Sequence, residues 1–264
     1  MLTAEDIDLE LDLAHSWDAA RFASERLDFE PDAMQAALLN GHARRALLNC
    51  ARQWGKSTVS AVKAVHRAHF RAGSLTLVLS PSRRQSAEFL RKASGFVRKL
   101  GFRPRGDGDN ALSLLFPNGS RIVGLPGAES TVRGFSAVSL LLIDEAARVS
   151  DGLYKAVRPM LAVGGGDLWL MSTPFGKKGF FYDEWSGGRD WERVMAPVTK
   201  CPRISRDFLE EERAAMGERW FRQEYLCEFV DAEDSIFRDD VIRQALRDDL
   251  EPLDLSVRSA GRVL

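Results

Sequence analysis

The sequence predicts an α/β fold: a mostly parallel central sheet with helices on both faces and a small helical C-terminal extension. Three observations predict it. Short apolar runs alternate with helical periods along most of the 264 residues, the pattern of strands joined by crossover helices. One run, Ala46-Leu47-Leu48, leads through a tight loop into the helical period Val59 to Val65. Another, Leu140 to Ile143, ends in two carboxylates, Asp144 and Glu145. Ligands of parallel sheets sit outside the carboxyl ends of the strands, which is where both features fall.

Taken in order, residues 1–30 read as an amphipathic helical lead-in, with Leu9, Leu13, Trp17, Ala20 and Phe22 near helical spacing. Pro31-Asp32-Ala33 opens the core, residues 31–200, with a short helix ending near Asn40-Gly41. Leu75 to Leu79 is a buried strand. Ser82 and Gln85 then have capping-box spacing before a helix that puts Phe89, Ala93, Phe96, Val97 and Leu100 on one face. Leu112 to Phe116 and Ser120 to Leu125 flank Pro117-Asn118-Gly119 and predict a hairpin. Val138 to Ile143 and Leu168 to Met171 are two further strands, and Pro159 stops or kinks the helical run Asp151 to Leu161.

Residues 201–250 read as a helical subdomain or lid. Ser205 caps a helix to about Met216, Gly217 interrupts it, and Glu218 to Leu226 resumes. Asp231-Ala232-Glu233-Asp234 is an acidic linker, and Val241 to Arg247 is one more short helix. Residues 251–264 read as a linker without a clear period.

Composition narrows the class. The chain is 45% hydrophobic and 28% charged, ordinary for a folded domain and unlike a disordered one. Its formal net charge of −1 gives no global basic field, so any nucleic-acid contact must use a local patch. Cys50, Cys201 and Cys227 are odd in number and widely spaced, which predicts reduced thiols in a cytoplasmic compartment. The N-terminus lacks a signal-peptide core, and no apolar run approaches the ~18 residues of a membrane span, so no membrane association is expected.

The stretch Cys50-Ala51-Arg52-Gln53-Trp54-Gly55-Lys56-Ser57-Thr58 carries the strongest chemical signal. Strand, Gly-Lys-Ser loop and helix together form a phosphate cradle. Backbone N–H groups and the helix N-terminus face the phosphates, a lysine neutralises β/γ charge, and a serine hydroxyl ligates Mg²⁺. Gln53, Trp54, Gly55, Lys56, Ser57 and Thr58 are therefore candidate nucleotide-binding residues. In the pattern G-x-x-x-x-G-K-[ST] the first glycine falls on Cys50, so one of the two is missing. Asp144 would hold the metal through water, and Glu145 would orient and deprotonate an attacking water. Ser172-Thr173-Pro174 closes the strand Leu168 to Met171, where hydroxyls can sense the γ-phosphate.

The order Arg-Gln-x-Gly-Lys-Ser, then Arg-Gly before a strand ending Asp-Glu-Ala-Ala, then Ser-Thr-Pro-x-Gly-x-x-Gly-x-Phe resembles the ATPase domain of large terminase subunits of tailed bacteriophages. Phe221 to Phe229 is similar to the segment that closes that region, and the likeness covers about residues 30–240. It implies a phosphate-loop (RecA/ASCE-like) NTPase fold, with ATP and Mg²⁺ as cofactors and ATP-driven movement of double-stranded DNA into a procapsid. By the same resemblance the partners would be a portal protein, a small terminase subunit and further copies in a ring, in the bacterial host cytoplasm. Lys56 would contact the β/γ-phosphates, Ser57 and Asp144 would hold the metal, and Glu145 would be the catalytic carboxylate. Arg52 matches a loop arginine that responds to nucleotide state, and Arg133 matches one offered to a neighbouring subunit's ATP. Gln35 resembles a glutamine that reads the adenine edge, and Ser172, Thr173 and Pro174 would couple hydrolysis to movement. Family members carry a second, RNase H-like nuclease domain. This chain stops about where it should begin, so no nuclease activity is expected of it.

Two rivals stay open on the sequence: a helicase-like ATPase, and a non-catalytic assembly module whose loop has decayed at Cys50. Arg83 to Arg105 is the most basic segment and, with Lys177-Lys178, a candidate DNA contact. The plainer reading is a solvated helix face. His66 and His69 are expected on the surface of the helix after the loop, and Trp185, Trp191, Trp220 and Phe221 in the core or at a subunit contact.

Overall fold

The apolar runs become strands because both of their faces find partners. The computed structural model describes residues 4–127, 134–188, 190–201 and 203–230. Strands β1 (Arg45–Cys50), β2 (Leu75–Ser80), β3 (Ser113–Leu115), β4 (Arg121–Pro126), β5 (Leu140–Asp144), β6 (Asp167–Ser172) and β7 (Glu192–Ala196) form one sheet. Their order is β3-β4-β2-β5-β6-β1-β7. The β3–β4 hairpin is antiparallel and the other pairings are parallel.

Side chains alternate across the sheet with period two. Leu48, Val78, Leu140, Leu142, Trp169 and Met171 face one core. Leu47, Leu77, Leu79, Leu141, Ile143 and Leu170 face the other. The first core is covered by α2 (Ala19–Leu27), α3 (Ala33–Asn40), α4 (Lys56–Phe70) and α5 (Arg83–Lys99). The second is covered by α6 (Asp151–Val157), the turn Arg158–Leu161 and α7 (Gly179–Ser186). The expected doubly covered, mostly parallel sheet is therefore present. A third, smaller cluster joins Ala51 and Val198 to Phe221, Tyr225 and Cys227 around α8 (Arg206–Glu224).

The local signals act as their chemistry dictates. Asp32 and Gln35 form a reciprocal capping box at α3. Ser82 accepts from Gln85 N–H at α5, while its hydroxyl donates to the Gln85 side chain at 2.8 Å. α6 stops at Val157 and the chain passes Pro159 as a 3₁₀ turn. Gly217, at φ 80° and ψ 159°, kinks α8 where an interruption was expected. The expected linker at Asp231–Asp234 and the helix at Val241–Arg247 lie outside the described residues.

The lead-in is helical but not one continuous helix. It is two helices, α1 (Ala4–Trp17) and α2, broken at Asp18, whose side chain caps α2 by accepting from Arg21 N–H. The break resets the helical phase, so Leu13 and Trp17 are exposed (60% and 75%) while Phe22 is fully buried. Phe22 stacks on His69 and meets His66 and Phe70 edge-on. His66 and His69 are thus half-buried beneath α2, not surface residues as expected.

Candidate active site

β1 sits between β6 and β7, and β5 lies on the other side of β6. Three adjacent strands therefore deliver the three motifs to one edge. Asp144 is opposite Met171, and Asn49 is opposite Ser172.

The loop after β1 is built by backbone. Ala51 N–H donates to the Ala196 carbonyl at 2.9 Å, and Arg52 N–H to the Glu224 carbonyl at 3.1 Å. Left-handed conformations fall on Gln53 (φ 64°) and Gly55 (φ 101°), and Gly55 precedes the first turn of α4. Cys50 is still strand, opposite Ala196 and fully buried. The position of the missing glycine thus makes no demand for positive φ. Burial pushes the Cys50 thiol far above its ordinary pKa, so it packs as a neutral group.

Two of the expected nucleotide-binding residues turn their side chains to the protein. Gln35 is buried, and its amide is occupied by the protein: Oε1 accepts from Asp32 N–H at 3.0 Å and Nε2 donates to the Trp54 carbonyl at 2.9 Å. It holds the loop from behind and does not line the cavity. The Trp54 side chain is wholly in the core, and its carbonyl also accepts from Arg203 at 2.8 Å. Both residues shape the loop because the wall behind it is packed, leaving Gln53, Gly55, Lys56, Ser57 and Thr58 to face the cavity.

Lys56 Nζ lies 3.4 Å from Glu145 Oε1, and Ser57 Oγ donates to Asp144 Oδ2 at 3.3 Å. Asp144 is buried, and burial, reinforced by the adjacent Glu145 charge, raises its carboxyl above the usual range. A hydroxyl and a buried carboxylate converging at the N-terminus of α4 are hard oxygen donors of the kind Mg²⁺ takes. Glu145 itself adopts φ 51° and ψ 43°, a left-handed conformation uncommon for a non-glycine residue.

Two residues to which the sequence alone assigns no role complete the cluster. Arg148 donates to Glu145 at 2.9 Å, to Thr173 Oγ1 at 3.2 Å and to Glu224 at 3.0 Å. Glu224, buried at the end of α8, also accepts from Arg52 at 2.7 Å. Burial pushes the Glu224 carboxyl upward, but Arg52 and Arg148 outweigh it and hold the group below its ordinary range. Arg148 stands three residues after Glu145, a spacing that places both on one turn. Glu224 lies within the Phe221–Phe229 segment whose family likeness is given above.

These groups surround a cavity of about 440 Å³, lined among others by Arg52, Lys56, Glu145, Arg148, Thr173 and Glu224. Gln85 and Lys92 reach it from α5. Within the basic segment, then, Lys92 turns to this cavity, while Arg91 pairs with Glu88 and Lys99 with Asp28. Ser172 is buried beside the site, its Oγ without a hydrogen-bond partner among the described residues. Arg133 lies outside the described residues. No described helix is long and apolar enough to cross a membrane.

Comparison with known proteins gives a consistent family. The family described as terminase large subunit, T4likevirus-type, N-terminal, matches residues 47–244. A terminase large subunit of Thermus phage G20c is 28% identical over 249 residues, covering 81% of this chain and 51% of that protein. The chain thus spans about half the length of the curated relatives it matches. Among solved structures, the Thermus phage P74-26 large terminase ATPase domain superposes with a TM-score of 0.71 at 25% identity, over 80% of this chain and 98% of that one. The large terminase of the thermophilic bacteriophage D6E, in complex with ATP-gamma-S, shares the fold. Its TM-score is 0.60 at 15% identity, over 75% of this chain and 52% of that one.

Proposed function

The chain belongs to the large terminase subunit family, and on that premise we propose that it hydrolyses ATP at this cavity to drive double-stranded DNA into a procapsid. One observation carries the reading: Lys56 and Glu145 meet at 3.4 Å in a cavity that Ser57 also lines, its Oγ donating to the buried Asp144 behind it. In this reading the α4 N-terminus and the loop amides hold the phosphates, and Lys56 moves from Glu145 to the β/γ-phosphate oxygens. Ser57 and Asp144 would hold Mg²⁺, which neutralises charge on the phosphates when bound. Glu145 accepts the proton of the attacking water. Arg148 positions the Glu145 carboxylate and ties it to Thr173 of the coupling motif and to α8. Arg52, paired with Glu224 at the cavity, is placed to respond to a terminal phosphate.

The partners follow from the family and are part of the proposal: duplex DNA, portal protein, small terminase subunit, and further copies in a ring with Arg133 offered between neighbours. The family match favours this motor over a helicase. Against a decayed assembly module, Lys56, Ser57, Asp144 and Glu145 are all present and in mutual reach.

Turnover and nucleotide binding test it together. Glu145→Gln should lower ATP hydrolysis by roughly 10²–10⁴, the usual worth of a general base, while still binding an ATP analogue. Lys56→Ala should lose the binding. Hydrolysis at the wild-type rate in both variants would defeat the enzyme reading.

A further inference from the structure

The far ends of the same strands carry a second concentration of charge. Arg44 and Arg45 stand at the start of β1, some six residues and about 20 Å of strand from the phosphate loop. Lys155 and Arg158, from α6 and the turn after it, face them across a cavity of about 640 Å³. Among the described residues no carboxylate lines this basin.

Its four cations are only partly compensated, Arg44 also donating to the Gly165 carbonyl. Asp167 lies 3.9 Å from Arg44 but is already paired with Arg67. Arg158 is 3.8 Å from Glu184 and stacks over Tyr154. Arg45 is the clearest case: its Nη1 is buried, with no hydrogen-bond partner among the described residues. A buried guanidinium nitrogen without an acceptor is costly and calls for an anion or water. Burial, together with the positive charge of Arg158 and Arg44, lowers the Arg45 pKa. Arg45 is half-buried at the floor, whereas Arg44, Lys155 and Arg158 are exposed around it.

We propose that this basin grips the sugar–phosphate backbone of nucleic acid, with Arg45 taking one phosphate at the floor and Arg44, Lys155 and Arg158 following its neighbours at the rim. Three arguments favour a polyphosphate backbone over an acidic protein segment. A chain of net charge −1 can hold DNA only by concentrating cations locally. The basic stretch of α5 is partly spent on Glu88, Asp28 and the nucleotide cavity. The rim charges come from three places, the residue before β1, α6 and the turn after it, and one is a lysine, a point charge suited to phosphate without demanding planar carboxylate geometry. This inference deepens the packaging reading and rests on it.

The test is anisotropy of a short labelled DNA duplex across a salt series, comparing wild type with the double variant Lys155→Glu/Arg158→Glu. Both positions are exposed and outside the nucleotide cavity, so the ATPase rate without DNA should stay unchanged; Arg158 gives up its Glu184 and Tyr154 contacts, so binding is compared below the melting temperature of each protein. Duplex affinity at low salt should fall at least tenfold, and the slope of log K against log salt should shrink by about 2. Wild-type affinity and slope in the variant would overturn the basin. Unchanged duplex binding with lost binding of inorganic phosphate, followed by ³¹P line broadening, would make it a free-anion site and overturn the proposal. Unchanged duplex binding with lost self-association in sedimentation would make it a protein interface and overturn it equally. Wild-type protein that hydrolyses ATP yet binds no duplex overturns both this site and the DNA half of the packaging reading.

Discussion

The Arg148 guanidinium lies 3.0 Å from Glu224 through one terminal nitrogen, while the other holds Glu145 at 2.9 Å. One planar fork therefore joins the residue proposed as the base to the end of α8, and the same nitrogen that holds Glu145 also reaches Thr173 at 3.2 Å. A motion of α8 or of Thr173 must pass through the group that aims the carboxylate.

If Arg148 positions Glu145, removing it should lower kcat without lowering nucleotide affinity. Arg148→Ala is expected to lose about 10–100-fold in kcat, with KM within a fewfold of wild type, a loss specific to the chemical step. Arg148→Lys should restore little, because an ammonium cannot span Glu145 and Glu224 as the fork does. Steady-state kinetics with a parallel analogue-binding measurement separates this from a folding defect. A raised KM with unchanged kcat would contradict the positioning role.

Glu224 is buried between two arginines, and that predicts non-additive stability. Arg52→Ala or Arg148→Ala alone leaves one cation beside the carboxylate. The double variant leaves a buried charge unpaired, a situation that costs on the order of 3–5 kcal/mol. Urea unfolding should therefore show the double variant losing clearly more than the two singles combined. Adding Glu224→Gln to the double variant should recover part of that loss. Simple additivity would mean that Glu224 finds water in the variants.

Most of the sheet was legible because β1, β2, β5 and β6 are buried on both faces and so read as apolar runs. β7 was missed for the converse reason. It is an edge strand with Glu192, Arg193 and Met195 at least partly exposed, so its sequence carries no apolar run. α7 was hidden behind Gly176-Lys177-Lys178-Gly179, which reads as loop. At the site, Lys56, Ser57, Asp144 and Glu145 announced themselves by motif, since phosphate chemistry fixes both residue type and spacing. Arg148 and Glu224 did not, because their partnership spans 76 residues and exists only once α8 folds back. Gln35 was legible in another sense: Asp32-x-x-Gln35 is a capping spacing, and the structure uses the glutamine for that cap.

Acid should loosen the packing of the lead-in on α4. His66 is half-buried, its Nε2 2.9 Å from the His15 carbonyl, among Phe22, Phe70, Lys63, Arg67 and His69. Burial lowers its pKa to about 4, against 6.5 unperturbed. Between those values the unfolded chain binds the proton and the folded one does not. Stability is therefore full above pH 6.5 and falls as pH drops toward 4, by up to about 3 kcal/mol. His66→Gln keeps a donor for the His15 carbonyl and cannot titrate, so its unfolding free energy should be flatter over this window. Parallel pH dependence in the two proteins would remove His66 as the cause.

Two glycines of opposite character test the packing directly. Gly166 enters β6 where a Cβ would collide with the Val138 carbonyl oxygen and meet Ser139 backbone and Leu161 at 3.0 Å. Backbone cannot move aside as a side-chain tip can, so β5 and β6 would have to separate at their start. Gly166→Ala should therefore destabilise by about 2–3 kcal/mol or more, the range for overpacked sites. Gly95 lies within α5, and a Cβ there meets nothing within 4 Å. Gly95→Ala should stabilise by roughly 0.5–1 kcal/mol, by helix propensity and reduced unfolded-state entropy. Thermal or urea unfolding of the two single variants reads both signs in one experiment. A stabilised Gly166→Ala protein would mean that β6 approaches the Val138–Ser139 backbone loosely enough to admit a methyl group, and would undercut the placement of Ser172 beside the phosphate loop.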